Sequence, residues 1–219
     1  MNIIEPTVDL INPTSAEDGI KALKFIEKLA RISHRSEDAQ TPDSWEPFLR
    51  AVVSGHGDWS VVEHASATAI FRVDRGVTHE LVRHRLFSFT QESTRFVNYK
   101  RRGLGLEFIK PMVLSDNDDL LWRNSCADAE KAYFELLDRH VRPQEARSIL
   151  PNALAATIAV TGNLRSWRYI FLARTSKESH PDFHRVMVPL FLMFKERVPL
   201  LFDDIEPGAR QIDNFRKPH

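Results

Sequence analysis

Arg83-His84-Arg85-Leu86-Phe87-Ser88-Phe89-Thr90-Gln91-Glu92-Ser93-Thr94-Arg95 is the stretch from which the rest of the chain can be ordered. Its polar inventory is far richer than an amphipathic helix requires: three arginines, a histidine, two serines, a glutamine and a glutamate. Arginine presents a planar fork of donors that clamps phosphate or carboxylate oxygens in pairs. Ser88 and Ser93 add hydroxyl donors, and Gln91 and Glu92 add groups that can read an amide or imide edge. A solvated charged turn is one reading of such a run. Leu86, Phe87, Phe89 and Phe96 are interleaved with the polar groups, however, so part of the stretch must be packed. Arginines held near packed surface need anions to pair with. The composition therefore points to a site for an anionic, phosphorylated small molecule.

Working outward, Val77, Leu81 and Arg85 recur at helical spacing, which predicts a helix whose last turn opens the stretch and an irregular loop after it. Glu80 lies three residues before Arg83, close enough on a helical face to orient its guanidinium. Upstream, residues 66–73 alternate as a strand does. Ser15 and Asp18 form a capping-box-like start to a helix ending near Ile32, and Val8 to Ile11 suits a short strand. Trp45 to Val53 reads as a helix with Gly55 as its cap. Downstream, residues 95–99 and 106–109 read as strands around the basic turn Lys100-Arg101-Arg102-Gly103. Asp116 to about His140 is the longest helical pattern, and Pro143 opens a short helix that leads to Arg147. Ala153 to Val160 reads as a buried strand, and Thr161-Gly162-Asn163 as the turn into a helix ending at Arg174. A last helix is expected over 180–202, kinked by or starting at Pro189, with a mobile tail from Asp203.

The 219 residues suit one sizeable domain, and 42% hydrophobic and 27% charged content is ordinary for a soluble protein. Thirty basic and thirty acidic side chains cancel, which argues against a general nucleic-acid binder. With Cys126 as the one cysteine no intramolecular disulfide can form, and a reducing, cytoplasmic setting is expected. No apolar run is long enough to span a membrane, and the N-terminus lacks the regions of a signal peptide. Cys126 sits mid-helix without a group to depress its pKa, so packing is its expected role. His56, Glu63 and His64 fit no standard zinc spacing, and no metal is expected.

The arrangement Arg-His-Arg, two residues, Ser, four residues, Ser, one residue, Arg over 83–95 resembles the signature of the flavin-dependent thymidylate synthases. Similar family phrases occur at Ala30-Arg31-Ile32-Ser33, Ser60-Val61-Val62-Glu63-His64, Ala146-Arg147 through Leu150-Pro151, and Asn163-Leu164-Arg165. The likeness covers about residues 15 to 200. It implies an α/β (α+β) fold: a single domain with a mixed central sheet flanked by long helices. It further implies a homotetramer with shared active sites. The implied reaction is reductive methylation of dUMP to dTMP with FAD, NADPH and 5,10-methylenetetrahydrofolate. By the same resemblance Glu80, Arg83, Gln91, Ser93, Arg95, Arg147 and Arg174 would bind dUMP. Ser33, Ser60, Arg83, His84, Arg85, Gln91, Asn163 and Arg165 would bind FAD. Arg174 is the expected catalytic group, stabilising charge on the uracil imide. The chain departs from the family pattern at Asp58, Tyr169 and the Phe183-His184 pair, all near the inferred flavin site.

Two other classes remain open from the residues alone. His84, flanked by arginines, could accept a phosphoryl group, although the usual phosphohistidine signature has glycine where this chain has Arg85. A nucleic-acid module could use Arg83, Arg95 and the basic run from Lys100. Ser93 could be a nucleophile only with a base to activate it, and no histidine lies near it in sequence.

Overall fold

Strand β1 (Asn2–Ile3) and strand β2 (Thr7–Asn12) open a computed structural model that describes residues 1–100 and 105–208. Helix α1 (Ala16–Ile32) starts where expected, because the Ser15 hydroxyl accepts from the Asp18 N–H and satisfies a free helix donor. Helix α2 (Trp45–Leu49) is shorter than its pattern suggested and relaxes into a π-turn over Arg50–Gly55. Strand β3 (Ser66–Asp74) alternates buried and half-buried residues, as a sheet with one packed face demands. Helix α3 (Arg75–Leu81) is capped by the Asp74 carboxylate and ends two residues before Arg83.

The expected irregular loop then contains strand β4 (Ser88–Gln91), whose alternation is masked by its Phe and Thr content. Strand β5 is only Glu107–Phe108, and residues 95–99 form turns instead of the expected strand. Of the basic run, Arg101 to Gly103 lies outside the described residues. Helix α4 (Asp116–Asp138), helix α5 (Pro143–Ala146) and strand β6 (Ala155–Asn163) follow. No turn separates β6 from helix α6 (Leu164–Arg174): Asn163 ends the strand and caps the helix, its side-chain oxygen accepting the Ser166 N–H at 2.8 Å. Helix α7 (Pro181–Arg197) takes Pro181 in its first turn and carries Pro189 inside.

The fold is mixed α/β, with the two kinds of strand pairing divided between two sheets. Strands β1 and β5 pair in parallel, Asn2 opposite Glu107 and Ile3 opposite Phe108. The other sheet is antiparallel, in the order β2-β3-β6-β4. The chain divides into two compact units. The first unit comprises residues 1–7, 71–83 and 89–159. Its core gathers Tyr99, Leu106, Phe108, Cys126, Tyr133, Ala146 and Leu154. Burial pushes the Cys126 thiol up to about 11, so it is a packing group and a poor nucleophile.

The second unit comprises residues 8–70, 84–88 and 160–219, of which those to 208 are described. Its centre is aromatic. Trp167 lies 5.1 Å from Phe194, Phe171 lies 5.0 Å from Phe194 and 5.7 Å from Phe202, all ring to ring. Helices α1 and α7 approach so closely that a Cβ on Gly19 would collide with the Arg197 carbonyl oxygen. Glu27 is fully buried on α1, which only a dense set of donors makes tolerable: Arg31 grips one oxygen with two nitrogens, and Ser44 and Gln40 add hydrogen bonds. Beyond α7, Ile205 is buried, Asp204 pairs with Arg168, and the Gly208 N–H donates to the Thr175 carbonyl at 2.7 Å.

Candidate functional site

In the first unit the second half of the signature is fastened to strand β6. The Glu92 N–H donates to the Thr157 carbonyl at 2.8 Å, and the Glu92 carboxylate accepts the Thr157 N–H at 3.2 Å. Arg72, on β3, donates to the same carboxylate at 2.6 Å and to the Thr157 hydroxyl at 3.0 Å, and its other nitrogen reaches Glu107. The Tyr99 hydroxyl donates to the second Glu92 oxygen at 2.6 Å. Burial works to raise the Glu92 pKa, but the Tyr99 hydroxyl, the Thr157 amide and Arg72 outweigh it and hold the group below the usual carboxylate range. Tyr99 moves the other way, raised first by burial and then by Glu92.

This frame positions the expected substrate residues. Gln91 donates to the Thr78 hydroxyl at 3.0 Å, which fixes it against α3, and Thr78 in turn donates to the Arg75 carbonyl. The Ser93 hydroxyl accepts the Arg95 N–H at 3.3 Å and tightens the turn, leaving the Arg95 guanidinium exposed above the Phe96 ring. Arg147 arrives from a distant part of the chain and donates to the Thr94 hydroxyl at 3.1 Å. Gln91, Ser93, Arg95 and Arg147 are thereby drawn to one short turn. Glu80 sits half-buried near the end of α3, and Arg83 is exposed with its N–H bonded to the Glu80 carbonyl at 3.2 Å.

Sequence reasoning overlooked Arg75, at the start of α3, which carries a buried Nη1 without a hydrogen-bond partner among the described residues. A buried guanidinium nitrogen left unpaired is costly, so a bound anion is the simplest account of it. The available signal was a cation placed directly after the helix cap, at a position that usually favours acids.

In the second unit the segment 84–88 is seated by shape. The Phe87 ring lies where a Cβ on Gly162 would be and meets Trp167 edge to face at 4.9 Å. Trp167 is locked in turn, its indole N–H donating to the Ala67 carbonyl at 3.0 Å. Next to this anchor, the Nε of Arg174 donates to Nε2 of His84 at 3.0 Å. Burial, and secondarily the Arg174 charge, depress the His84 pKa to about 4. An arginine nitrogen can only donate, so Nε2 must be the acceptor and the ring proton sits on Nδ1. With its Nε2 lone pair engaged and the proton on Nδ1, the ring is poorly placed to accept a phosphoryl group, which weighs against that alternative.

Of the expected flavin residues, Ser33, Ser60, His84, Arg85, Asn163 and Arg165 belong to this unit, and Arg83 and Gln91 to the first. Arg165 pairs with Glu63 at 2.5 Å, on the same 3-10 turn as the exposed Ser60. Asn163 spends its oxygen on capping α6, which leaves its NH₂ as the group able to donate. Ser33, at the end of α1, donates to the Ala30 carbonyl at 2.8 Å and meets His34. Arg85 is exposed, Tyr169 faces the His84 ring at 6.4 Å, and His84 Nδ1 keeps its proton as a donor. Two exposed guanidiniums, two hydroxyls and an amide form a donor set suited to a dinucleotide's phosphates and ribose. Of the other departures, His184 bonds the Ser176 carbonyl at 2.6 Å, Phe183 lies under the Arg174 guanidinium, and Asp58 is exposed.

Known proteins of similar sequence and structure point to one family. A sequence model described as thymidylate synthase complementing protein matches residues 17–200. The chain is 36% identical to a flavin-dependent thymidylate synthase of Corynebacterium diphtheriae, over 84% of this chain and 79% of that one. It is 32% identical to one from Mycobacteroides abscessus, over 93% and 86% respectively. Among solved structures it is similar to PolB, a UMP/dUMP methylase of Streptomyces cacaoi crystallised with 5-bromo-dUMP. The TM-score is 0.67 at 24% identity, covering 89% of this chain and 92% of that one.

Proposed function

The chain belongs to the thymidylate synthase complementing protein family, and on that premise we propose that it is a flavin-dependent thymidylate synthase converting dUMP to dTMP. The observation that carries the reading is the family match over residues 17–200, with the arginine-rich signature inside it. 5,10-Methylenetetrahydrofolate is the one-carbon donor, NADPH the reductant, and a homotetramer the working form. Bound FAD supplies the hydride that completes the methyl group.

On this reading Glu80, Arg83, Gln91, Ser93, Arg95, Arg147 and Arg174 hold the nucleotide. Arg147, Arg95 and Arg83 take the phosphate with Ser93, and the unpaired Nη1 of Arg75 supports the same binding. Gln91, with its NH₂ held by Thr78, turns its carbonyl oxygen toward the donor edge of the base, and Glu80 orients the same end. Ser33, Ser60, Arg83, His84, Arg85, Gln91, Asn163 and Arg165 are the residues assigned to the flavin. Arg174 contacts the uracil carbonyl, where its charge stabilises the negative charge that develops as C5 attacks the methylene carbon. The C5 proton would then pass to water and the bond between the methylene carbon and tetrahydrofolate would break, leaving an exocyclic methylene for the hydride to complete. No protein nucleophile is required, consistent with a buried, unactivated Cys126.

The test is direct. Purified protein should take up FAD and turn yellow, and with dUMP, methylenetetrahydrofolate and NADPH it should form dTMP. A colourless protein that neither takes up FAD nor makes dTMP would overturn the reading.

A further inference from the structure

We infer that His84 is a positioning residue for Arg174: its unprotonated Nε2 accepts the Arg174 Nε–H and sets the plane in which the guanidinium meets its substrate. The inference rests on the proposed role of Arg174 and deepens it. The two residues are ninety positions apart, and their 3.0 Å contact joins the segment 84–88 to the last residue of α6.

Three features make this contact a device rather than an incidental hydrogen bond. First, both ends are fixed. Phe87, wedged against Gly162 and Trp167, seats the segment that carries His84. Arg174 is held at its helix end with the face of its guanidinium 5.0 Å from the Phe183 ring. Second, the contact takes the Nε edge of the guanidinium. Nη1 and Nη2, on the other side of the guanidinium, are the paired nitrogens that suit a planar carbonyl edge. Third, the acceptor at the Arg174 Nε is an imidazole nitrogen, which orients the cation without adding a charge of its own.

The charged and titratable groups about His84 are consistent with a neutral ring. Arg174 and Tyr169 face it from α6, and Arg83 and Arg85 flank it in sequence. Burial opposes the imidazolium, and the Arg174 charge opposes it further. Protonation would place two cations against each other and break the contact, so acid should release Arg174.

Two measurements test this, one independent of turnover. Imidazole nitrogen NMR of the parent protein should show His84 as the Nδ1–H tautomer, neutral at pH 6. An Nε2–H tautomer or a doubly protonated ring at that pH overturns the inference, whether or not the enzyme makes dTMP. Kinetics supply the second arm in flavin-loaded protein. His84→Ala should lower kcat about tenfold while changing the KM for dUMP less than about threefold, because orientation matters most in the transition state. His84→Gln, whose amide oxygen reaches the position of Nε2, should restore most of that loss and remove the acidic limb of the pH profile. Equal loss in both variants, or a His84→Ala enzyme at the parent rate, overturns it. A parent that forms no dTMP would instead sink the proposed function, and the tautomer measurement would still decide the contact.

Discussion

The two units hold their candidate residues by different physics. In the first, a signature turn is pinned by polar groups: Arg72, Glu92, Tyr99, Thr157 and Glu107 form one connected network. In the second, the segment 84–88 is seated by an aromatic ring filling the space above a glycine, and one polar contact, His84 to Arg174, is added to it. A polar network is directional and depends on the charge state of its members. Shape packing is insensitive to pH and salt and intolerant of volume change. The first unit should therefore respond to acid and charge substitutions, and the second to substitutions of size, apart from the acid-sensitive contact of His84.

The largest expected effect tests the shape side. Trp167→Ala removes the centre of the aromatic cluster and a buried N–H···O bond, and should cost about 3–5 kcal/mol in denaturant unfolding. A cost under about 1 kcal/mol would mean that the cluster is not what supports the second unit. Glu92→Ala tests the network side. It strips Arg72 and Tyr99 of a shared acceptor, and because these groups are only partly screened it should cost about 2–3 kcal/mol. Glu92→Gln should recover part of this, and equal losses would show that charge is not the relevant property.

Arg147→Ala sharpens the comparison functionally. Loss of one charge-assisted phosphate contact should weaken dUMP binding by about ten- to a hundredfold. Flavin absorbance should remain, since Arg147 is not among the residues assigned to the flavin. Loss of flavin with unchanged nucleotide affinity would reverse that assignment. The smallest effect is acid sensitivity. The folded His84 pKa of about 4 lies below the ordinary value of 6.5, so between these values the unfolded chain binds a proton that the folded chain does not. The stability His84 contributes is present above pH 6.5 and is lost as pH falls toward 4. Glu92, also depressed, loses its contribution at lower pH, below its ordinary 4.5. His84→Gln should flatten the upper part of this dependence in melting curves between pH 7 and 4, and an unchanged curve would show that His84 titrates normally.

Much of this molecule was legible in its sequence. Helix starts at Ser15, Asp74 and Asn163 follow local rules, because a cap is an interaction between residues three apart. The signature and its neighbouring phrases carried the family, since their chemistry is written in residue type and spacing. Less legible were short elements in mixed surroundings. Strand β4 hid inside the signature, and 95–99 resembled a strand but formed turns around Ser93. Short strands take their identity from partners, and residues near Glu92 find theirs on β6, more than sixty positions away.

The sequence by itself determined where helices begin, that Cys126 is idle packing, and which arginines are candidates for phosphate and uracil. Only the tertiary structure decided that Arg72 and Tyr99 converge on Glu92, that a buried Arg75 nitrogen has no hydrogen-bond partner among the described residues, and that His84 meets Arg174 as a neutral acceptor. Caps and periodicities involve residues a few positions apart, so the local chain encodes them. Burial, and with it the protonation of His84 and the plane of Arg174, depends on groups that distant parts of the chain bring into place.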